Sequence, residues 1–284
     1  MTAGLAAAID AALGLRPTAL RPLGGGAAGS VVAVDLPDGR RLIAKTAGAG
    51  GKLDLEGWML AYLAEKSALP VPGVHHAAPD LLILDRIEGG GPIDAAAEAH
   101  AADLIAALHA VSAPDFGLAR DTLIGPLDQP NGRLAHWTDF YAARRLIPFG
   151  RSALAAGGID ASAMDRIERL AARLPELIEE PAHPSLIHGD LWGGNVIAAR
   201  GRITGFIDPA IHYAHAEVEL AFTTLFGTFG ERFFARYAEH RPIAPGFFEA
   251  RRDLYLLYPL LVHATLFGAG YGRRADAIAR RFVG

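Results

Sequence analysis

Short apolar runs broken by glycine, proline and aspartate fill the first third of the chain, and apolar residues at helical spacing fill most of the rest. Apolar runs of about four to eight residues between turn residues are typical of strands. The predicted strands of the first third are residues 19–23, 30–36, 40–46 and 81–84. Helices are predicted at residues 2–14 and 54–65, the second because its leucines and Met59 fall near one face.

A glycine-rich segment, Glu88–Pro92, separates this region from a mainly helical remainder and is the best candidate for a hinge. Helices are predicted at residues 94–111, 137–154 and 163–178, and short strands at 186–188, 196–199 and 203–208. The pattern therefore predicts a two-lobe α+β protein. A small β-rich lobe would comprise residues 1–87 and a larger helical lobe residues 88–284, with the active site in the cleft between them.

The composition narrows the possible partners. With 51% hydrophobic and 20% charged residues, the chain can bury a sizeable core. A net charge of -4 leaves no basic excess to neutralise phosphates, so neither nucleic acid nor a membrane surface is expected as a partner. The chain has no cysteine, which excludes disulfides and thiolate chemistry and fits a reducing compartment. The apolar segment 254–270 contains Pro259 and is shorter than the roughly 20 residues of a spanning helix. We therefore expect a cytoplasmic protein.

The stretch from His188 to Asn195 carries the strongest chemical pattern. Asp190 is followed five positions later by Asn195, and Asp208 ends a later apolar strand. Phosphoryl transfer from a nucleotide needs a carboxylate that takes the proton of the attacking hydroxyl, and oxygen ligands that hold Mg²⁺ on the phosphates. The pattern predicts Asp190 as the base and Asn195 and Asp208 as Mg²⁺ ligands of an ATP-dependent kinase. A structural aspartate that caps a turn is the alternative for Asp190, and for an isolated His-Gly-Asp the two weigh about equally.

A glycine-rich loop between the first two strands is the candidate phosphate loop. Its glycines fit G-x-G-x-x-G, a valine trails the motif, and small residues let backbone N–H groups approach phosphate oxygens. Without other evidence such a run is more often a plain hairpin turn. The residues assigned to this loop are Gly24, Gly25, Gly26, Gly29 and Val31.

Lys45 ends the third predicted strand between apolar neighbours. It either extends to solvent, which is the usual outcome for such a lysine, or turns inward to bind the α- and β-phosphates. In the second case a carboxylate should pair with it. Glu56, at the start of the next helix, is the natural partner, and Glu65 is the competing choice.

Two aromatic residues flank the proposed base. Trp192 either fills the floor of the cleft or forms an aromatic wall for the acceptor. His188 is expected to fix the loop through a hydrogen bond rather than to catalyse, because Asp190 already fills the acceptor role. Both residues are assigned to the substrate side of the site.

Taken together, these residues resemble the fructosamine kinase (ketosamine-3-kinase) family, within the wider aminoglycoside-phosphotransferase and protein-kinase-like fold. The segments that carry the resemblance include Ile43-Ala44-Lys45, Pro184–Asn195, Ile207–Ala210 and Leu225-Phe226-Gly227. The resemblance implies ATP-dependent phosphorylation of the sugar 3-hydroxyl of a small-molecule or protein-bound ketosamine, and hence deglycation. It also implies that the backbone of Asp85, Arg86 and Ile87 reads adenine.

The chain departs from the family pattern after the second aspartate motif. Ala214-His215 and Glu219 stand where the family usually has Gly-Asp and a later Asp, so the support of the catalytic loop could be repositioned. Two other hypotheses therefore stay open. One is a phosphotransferase for another small hydroxyl compound, such as an aminoglycoside, choline or a thiosugar. The other is a nucleotide-binding protein that kept the fold without the chemistry. The sequence does not predict the oligomeric state.

Overall fold

The computed structural model describes residues 2–26 and 29–284, so Ala27 and Ala28 of the predicted phosphate loop lie outside the described residues. The chain forms two compact units. The first comprises Met1–His100 and Asn195–Pro209, and the second comprises Ala101–Gly194 and Ala210–Gly284.

The first unit is built on a five-stranded antiparallel sheet of order β1-β2-β3-β5-β4. Its elements are α1 (Thr2–Leu13), β1 (Ala19–Gly26), β2 (Gly29–Asp35), β3 (Arg41–Thr46), α2 (Leu53–Lys66), β4 (Val74–Ala78) and β5 (Leu81–Asp85). The four predicted strands and both helices of this region are confirmed, whereas β4 was not predicted. As the edge strand, β4 pairs on one side only and carries His75 and His76 in place of a clear apolar alternation.

Both faces of this sheet are covered, which explains the unbroken apolar run of β5. Ile83 points to one face, where it belongs to a buried cluster with Ile9 of α1. Leu82 and Leu84 point to the other face and pack with Leu60 of α2. Successive strand residues alternate between faces, so a strand covered on both sides is apolar at every position.

A second hairpin, β9 (Val196–Ala199) and β10 (Arg202–Phe206), also belongs to the first unit although it lies about a hundred residues further along the chain. The Phe206 N–H donates to the Pro70 carbonyl at 2.8 Å, and the Thr204 hydroxyl donates to the Glu88 carbonyl at 2.7 Å. The compact units therefore differ from the division at residues 87 and 88 that the sequence predicts, because these long-range bonds leave no sign in local periodicity.

The second unit is mainly helical. The elements from the unit boundary onward are α3 (Ala95–His109), which contains that boundary, β6 (Thr122–Ile124), β7 (Leu127–Gln129), α4 (Trp137–Phe140), α5 (Ile147–Ala155), α6 (Ala161–Leu177), β8 (Ser185–Ile187), β11 (His212–Ala214), α7 (Ala216–Leu225), α8 (Glu231–His240), α9 (Arg252–Phe267) and α10 (Ala269–Val283). A π-helical turn over Tyr141–Leu146 joins α4 to α5, which confirms the predicted helix 137–154 as one continuous segment. Within the described residues, no helix has both the length and the apolar character required to cross a membrane.

Candidate active site

Lys45, Glu56 and Asp208 form a charged cluster inside the first unit. Lys45 lies near the end of β3, and its Nζ is 2.6 Å from Oε1 of Glu56 on α2. The same ammonium donates a hydrogen bond to the carboxylate of Asp208, which follows β10. Glu65, the competing choice, is exposed and pairs with Lys66. The structure therefore pairs Lys45 with Glu56, as the sequence predicts.

Burial and charge oppose each other in this cluster. Burial lowers the pKa of Lys45, but the neighbouring Glu56 and Asp208 carboxylates outweigh it and leave that pKa above its usual value. Burial raises the pKa of Glu56, although Lys45 acts against it. Two carboxylates share one ammonium, so the cluster has an excess of negative charge when both are ionised. Such an excess favours the approach of a cation.

Asn195 and Asp208 are held near each other by the backbone. The Ile207 N–H donates to the Asn195 carbonyl at 3.0 Å, which ties the turn before β9 to the end of β10. Asp208 has a φ of 54°, a left-handed conformation that is unfavourable for a residue other than glycine and is often found at functional sites.

The donor chemistry of this pair fits Mg²⁺. An amide oxygen and a carboxylate are hard ligands, and Mg²⁺ is commonly held by one or two carboxylates together with substrate phosphates. In the part of the chain that the structure describes, no group of three or more His, Asp or Glu side chains forms a ready-made metal cage. A Mg²⁺ ion held by this pair would complete its coordination with substrate phosphates and water, the arrangement that Mg²⁺ prefers in proteins.

The candidate phosphate loop is the tip of the β1–β2 hairpin, since Gly24 pairs with Val31 and Gly26 pairs with Gly29. An alanine Cβ at Gly29 would lie 1.9 Å from the Thr46 carbonyl oxygen. Gly29 is thus required by the close approach of β3. The glycine-rich run thus forms a hairpin turn, which was the alternative to a phosphate loop. The phosphate-binding role stays a prediction.

The segment predicted to read adenine begins at Asp85, the last residue of β5. The Asp85 N–H donates to the Gly73 carbonyl at 2.9 Å and the Arg86 N–H to the Arg41 carbonyl at 3.3 Å. The side chain of Ile87 packs against Gly205, where a Cβ would lie only 2.2 Å from Cδ1 of Ile87. The N–H groups of Asp85 and Arg86 are thus already bonded, and the adenine-reading role of this segment stays a prediction.

The loop that carries Asp190 lies in the second unit and is fixed by its backbone. Gly189 has a φ of 86°, and a Cβ there would lie 2.1 Å from the Ala210 carbonyl oxygen. The Asp190 N–H donates to Nδ1 of the buried His188 at 3.4 Å, and the Ala210 N–H donates to the His188 carbonyl at 2.8 Å. His188 therefore holds the loop, and its burial argues against direct contact with a substrate. Asp190 itself is half-buried.

Glu219, one of the departures from the family pattern, anchors this loop. Its buried carboxylate accepts from the His188 N–H at 3.1 Å and from the Gly189 N–H at 2.7 Å. His109 Nε2–H donates to the same carboxylate at 3.0 Å, and His109 Nδ1 lies 2.7 Å from the Tyr237 hydroxyl. Burial raises the pKa of Glu219, but the hydrogen bond and charge of His109, together with the Gly189 N–H, bring it below the usual value. The longer side chain of Glu219 thus keeps the anchoring contacts.

The sequence alone missed part of this arrangement. The sequence patterns assigned neither His109 nor Tyr237 to the support of this loop. Helical spacing places both residues on buried faces, but only the packing of α3, α7 and α8 brings them into one line with Glu219.

His215, the other departure, caps helix α7. Its Nδ1 accepts from the Glu217 N–H at 3.1 Å, and burial with nearby Arg251 lowers its pKa to about 3. The imidazole is therefore neutral at pH 7. Glu217 in turn forms two 2.7 Å contacts with the Arg251 guanidinium. The start of α7 thus uses a neutral cap and a separate ion pair.

Trp192 presents an open aromatic face. Its side chain is 41% exposed, and its ring lies over Gly194, where a Cβ would be 2.3 Å from Cη2 of the indole. A side chain at Gly194 would therefore displace the indole ring, whereas a Cβ at Gly193 would meet no atom within 4 Å. The exposure supports the interpretation of Trp192 as a wall for an acceptor rather than as a buried plug.

Comparison with known proteins shows to which family the chain belongs. The family model described as fructosamine kinase matches residues 46–283, most of the chain. The chain belongs to the fructosamine kinase family. This finding confirms the resemblance predicted from the sequence motifs.

Two curated relatives of this fructosamine kinase family member support the assignment to the family. The chain is 37% identical over 177 residues to a protein-ribulosamine 3-kinase, chloroplastic, of Oryza sativa subsp. japonica, covering 61% of this chain and 51% of that protein. It is 39% identical over 158 residues to a ketosamine-3-kinase of Mus musculus, covering 55% of this chain and 50% of that protein. The chain thus spans about half the length of these two curated relatives.

Solved structures extend the likeness to the whole fold. A crystal structure provisionally named fructosamine-3-kinase, from Thermobifida fusca, matches with a TM-score of 0.89 at 32% identity over 97% of both chains. An aminoglycoside phosphotransferase, solved with AMP-PNP and hygromycin B, matches with a TM-score of 0.68 at 20% identity over 99% of both chains. The second likeness concerns the fold alone. Together they confirm the predicted α+β, protein-kinase-like architecture.

Proposed function

We propose that this protein is an ATP-dependent kinase that phosphorylates the sugar 3-hydroxyl of ketosamines, small or protein-bound, and so takes part in cytoplasmic deglycation. The observation that carries the proposal is the joint presence of two features in one family member. These are the Lys45–Glu56–Asp208 cluster and the Asp190 loop anchored by Glu219. A protein that kept only the fold would have no need to preserve both. The acceptor class follows the names of the relatives, which are ribulosamine and ketosamine kinases.

Each residue has a defined task in this proposal. Lys45, held in place by Glu56, binds the α- and β-phosphates. Asn195 and Asp208 hold Mg²⁺, which offsets phosphate charge when bound. Asp190 accepts the proton of the attacking hydroxyl. The backbone of residues 85–87 reads adenine, Gly24, Gly25 and Gly26 approach the phosphates, and Trp192 forms a wall for the acceptor.

The test is an acceptor panel. Purified protein with ATP and Mg²⁺ is given ribulosyl-lysine, fructosyl-lysine and erythrulosyl-lysine, and in parallel hygromycin B, choline and a thiosugar. ADP release is measured, and the product is analysed for phosphate on the 3-hydroxyl. Turnover confined to ketosamines supports the proposal. Turnover confined to the other acceptors, or none with any acceptor, refutes it.

Changing Asp208 to asparagine should weaken nucleotide binding more in the presence of Mg²⁺ than in its absence. Asparagine tolerates the left-handed backbone of this position, so the variant D208N removes a charge and leaves the local conformation in place. We expect the Kd of ATP with Mg²⁺ to rise by roughly tenfold, equivalent to about 1.4 kcal/mol. Isothermal titration with and without Mg²⁺ measures this difference.

Glu65→Gln provides the matched control, because Glu65 is an exposed carboxylate of the same unit that pairs with Lys66 instead. Its Kd should stay within about twofold of that of the unchanged protein. Equal affinities of D208N and the unchanged protein in Mg²⁺ would remove Asp208 from the proposed metal site.

A further inference from the structure

Four rings lie in one continuous row on the second unit and start at Trp192. The Trp192 and Phe226 ring centroids are 6.0 Å apart, those of Phe226 and His263 are 5.2 Å apart, and those of His263 and Phe267 are 5.5 Å apart. Phe226 follows the end of α7, and His263 and Phe267 lie four residues apart on the same face of α9. We call Trp192, Phe226, His263 and Phe267 the aromatic row.

The aromatic row is open to solvent to an unusual extent. Trp192 and Phe226 are each 41% exposed and Phe267 is 63% exposed. These three account for half of the six exposed large hydrophobic side chains that the structure describes. Single exposed apolar residues are common, whereas contiguous ones mark a surface that binds something.

His263 keeps the row rigid and uncharged. Its Nδ1–H donates to the Pro259 carbonyl at 2.7 Å, which fixes the plane of the ring. Burial lowers the pKa of His263, so its imidazole is neutral at pH 7. A neutral ring between Phe226 and Phe267 extends the apolar surface instead of interrupting it.

We propose that the aromatic row is the subsite for the amine carrier of the acceptor, namely the lysine side chain that bears the sugar and the polypeptide segment around it. The inference rests on the proposed function and adds a binding surface to it. Trp192 is two residues from Asp190, and its N–H donates to the Asp190 carbonyl at 3.2 Å. A sugar whose hydroxyl reaches Asp190 is therefore close to Trp192, and the aromatic row offers its carrier a binding surface that starts at this residue.

The chemistry and the length of the row fit this occupant. The lysine stem is apolar, and its ketosamine nitrogen is a secondary amine that carries positive charge in its protonated form. Aromatic faces bind both an alkyl chain and a cationic nitrogen. An extended polypeptide advances about 3.3 Å per residue, so each ring-to-ring distance of 5 to 6 Å is longer than one residue of a bound chain, and the row offers contacts beyond a single amino acid.

The two ends of the row should respond differently to substitution. Trp192→Ala should weaken binding of both free ribulosyl-lysine and a heptapeptide that carries ribulosyl-lysine at its centre. Phe267→Ala should raise the Kd of the peptide at least fivefold and leave that of free ribulosyl-lysine within twofold. Fluorescence anisotropy of the labelled peptide, with free ribulosyl-lysine as competitor, measures both constants without relying on turnover. Phe248→Ala is the matched control, since Phe248 is 44% exposed but contacts Phe234 and Phe247 instead.

Each outcome decides the question. A peptide-specific loss in F267A but not in F248A supports the subsite, even if the acceptor panel finds no turnover and the proposed function fails. Equal Kd values for the peptide in F267A and the unchanged protein overturn the inference and leave the kinase proposal standing. Sedimentation analysis gives the remaining outcome. A dimer that F267A converts to monomer would assign the row to a second copy of the chain and also overturn the inference.

Discussion

Replacing Asp190 by alanine is expected to lower kcat by on the order of 10²-fold or more and to leave the affinity for ATP within about twofold. Asp190 is the carboxylate of the His-Gly-Asp loop, whereas Lys45, Glu56 and Asp208 all lie in the first unit. Nucleotide binding should therefore survive the loss of the proton acceptor. A hundredfold loss corresponds to about 2.7 kcal/mol of transition-state stabilisation.

Two measurements separate a lost base from a disturbed fold. Single-turnover kinetics report the chemical step, and titration with ATP reports binding. Asp160→Ala serves as the control, because Asp160 accepts from the Ala163 N–H at 2.8 Å as the cap of helix α6 and is not one of the predicted phosphoryl-transfer residues. This variant should cost about 1 kcal/mol of stability with kcat unchanged. If D190A turned over at the rate of D160A, Asp190 would not be the base.

The local pattern of apolar and turn residues was sufficient to predict most of the strands and helices of the first unit. Short apolar runs between Pro, Gly and Asp predicted four of its five sheet strands, because each of those strands has at least one covered face. Strand β4 was not predicted, because an edge strand can carry polar residues such as His75 and His76.

The pairing of Lys45 with Glu56 could be predicted, because a lysine that binds phosphates needs a carboxylate partner. Asp190 and Asn195 were named from the spacing that phosphoryl transfer requires, and their roles stay predictions. The contacts that hold the Asp190 loop in place could not be predicted, because they depend on long-range packing. The bond from His109 to Glu219 joins residues 110 positions apart, and no periodicity encodes such a distance.

The glycines show the same difference between what local spacing predicts and what long-range packing decides. Spacing suggested that Gly29 served a phosphate loop. In the structure, Gly29 is required by the Thr46 carbonyl, and a Cβ at Gly194 would displace the Trp192 ring. A sequence marks where a side chain is absent, but the atom that excludes it is known only once the neighbouring strand or ring is in place.

Replacing Glu219 by alanine should both destabilise the protein and lower its kcat. The change leaves the buried N–H groups of His188 and Gly189 and the ring of His109 without their acceptor. Each unsatisfied buried donor costs about 1–3 kcal/mol, so we expect a loss of about 3 kcal/mol or more in the free energy of unfolding. The loop that carries Asp190 should also lose its position, which lowers kcat at least tenfold. The KM for ATP should change little, because the nucleotide residues lie in the other unit.

The effect on stability should depend on pH in a defined direction. The pKa of Glu219 in the folded protein lies below its ordinary value of 4.5. A carboxyl of this kind stabilises the fold above its unfolded pKa and loses that contribution as pH falls through the folded pKa. The difference in unfolding free energy between the unchanged protein and E219A should therefore be largest above about pH 4.5 and shrink below it. Urea unfolding at a series of pH values measures this difference.

Glu217→Ala on the same helix separates anchoring from general destabilisation. Glu217 is also buried, but its partner is Arg251 and not the catalytic loop. Breaking that ion pair should cost about 3 kcal/mol, yet kcat should hold wherever the variant is folded. A positioning role for Glu219 predicts that E219A loses kcat at the same temperature at which E217A does not. Equal losses in both variants would mean that α7 supports the loop only by being folded, and that the contacts from Glu219 to His188 and Gly189 carry no separate share of the rate.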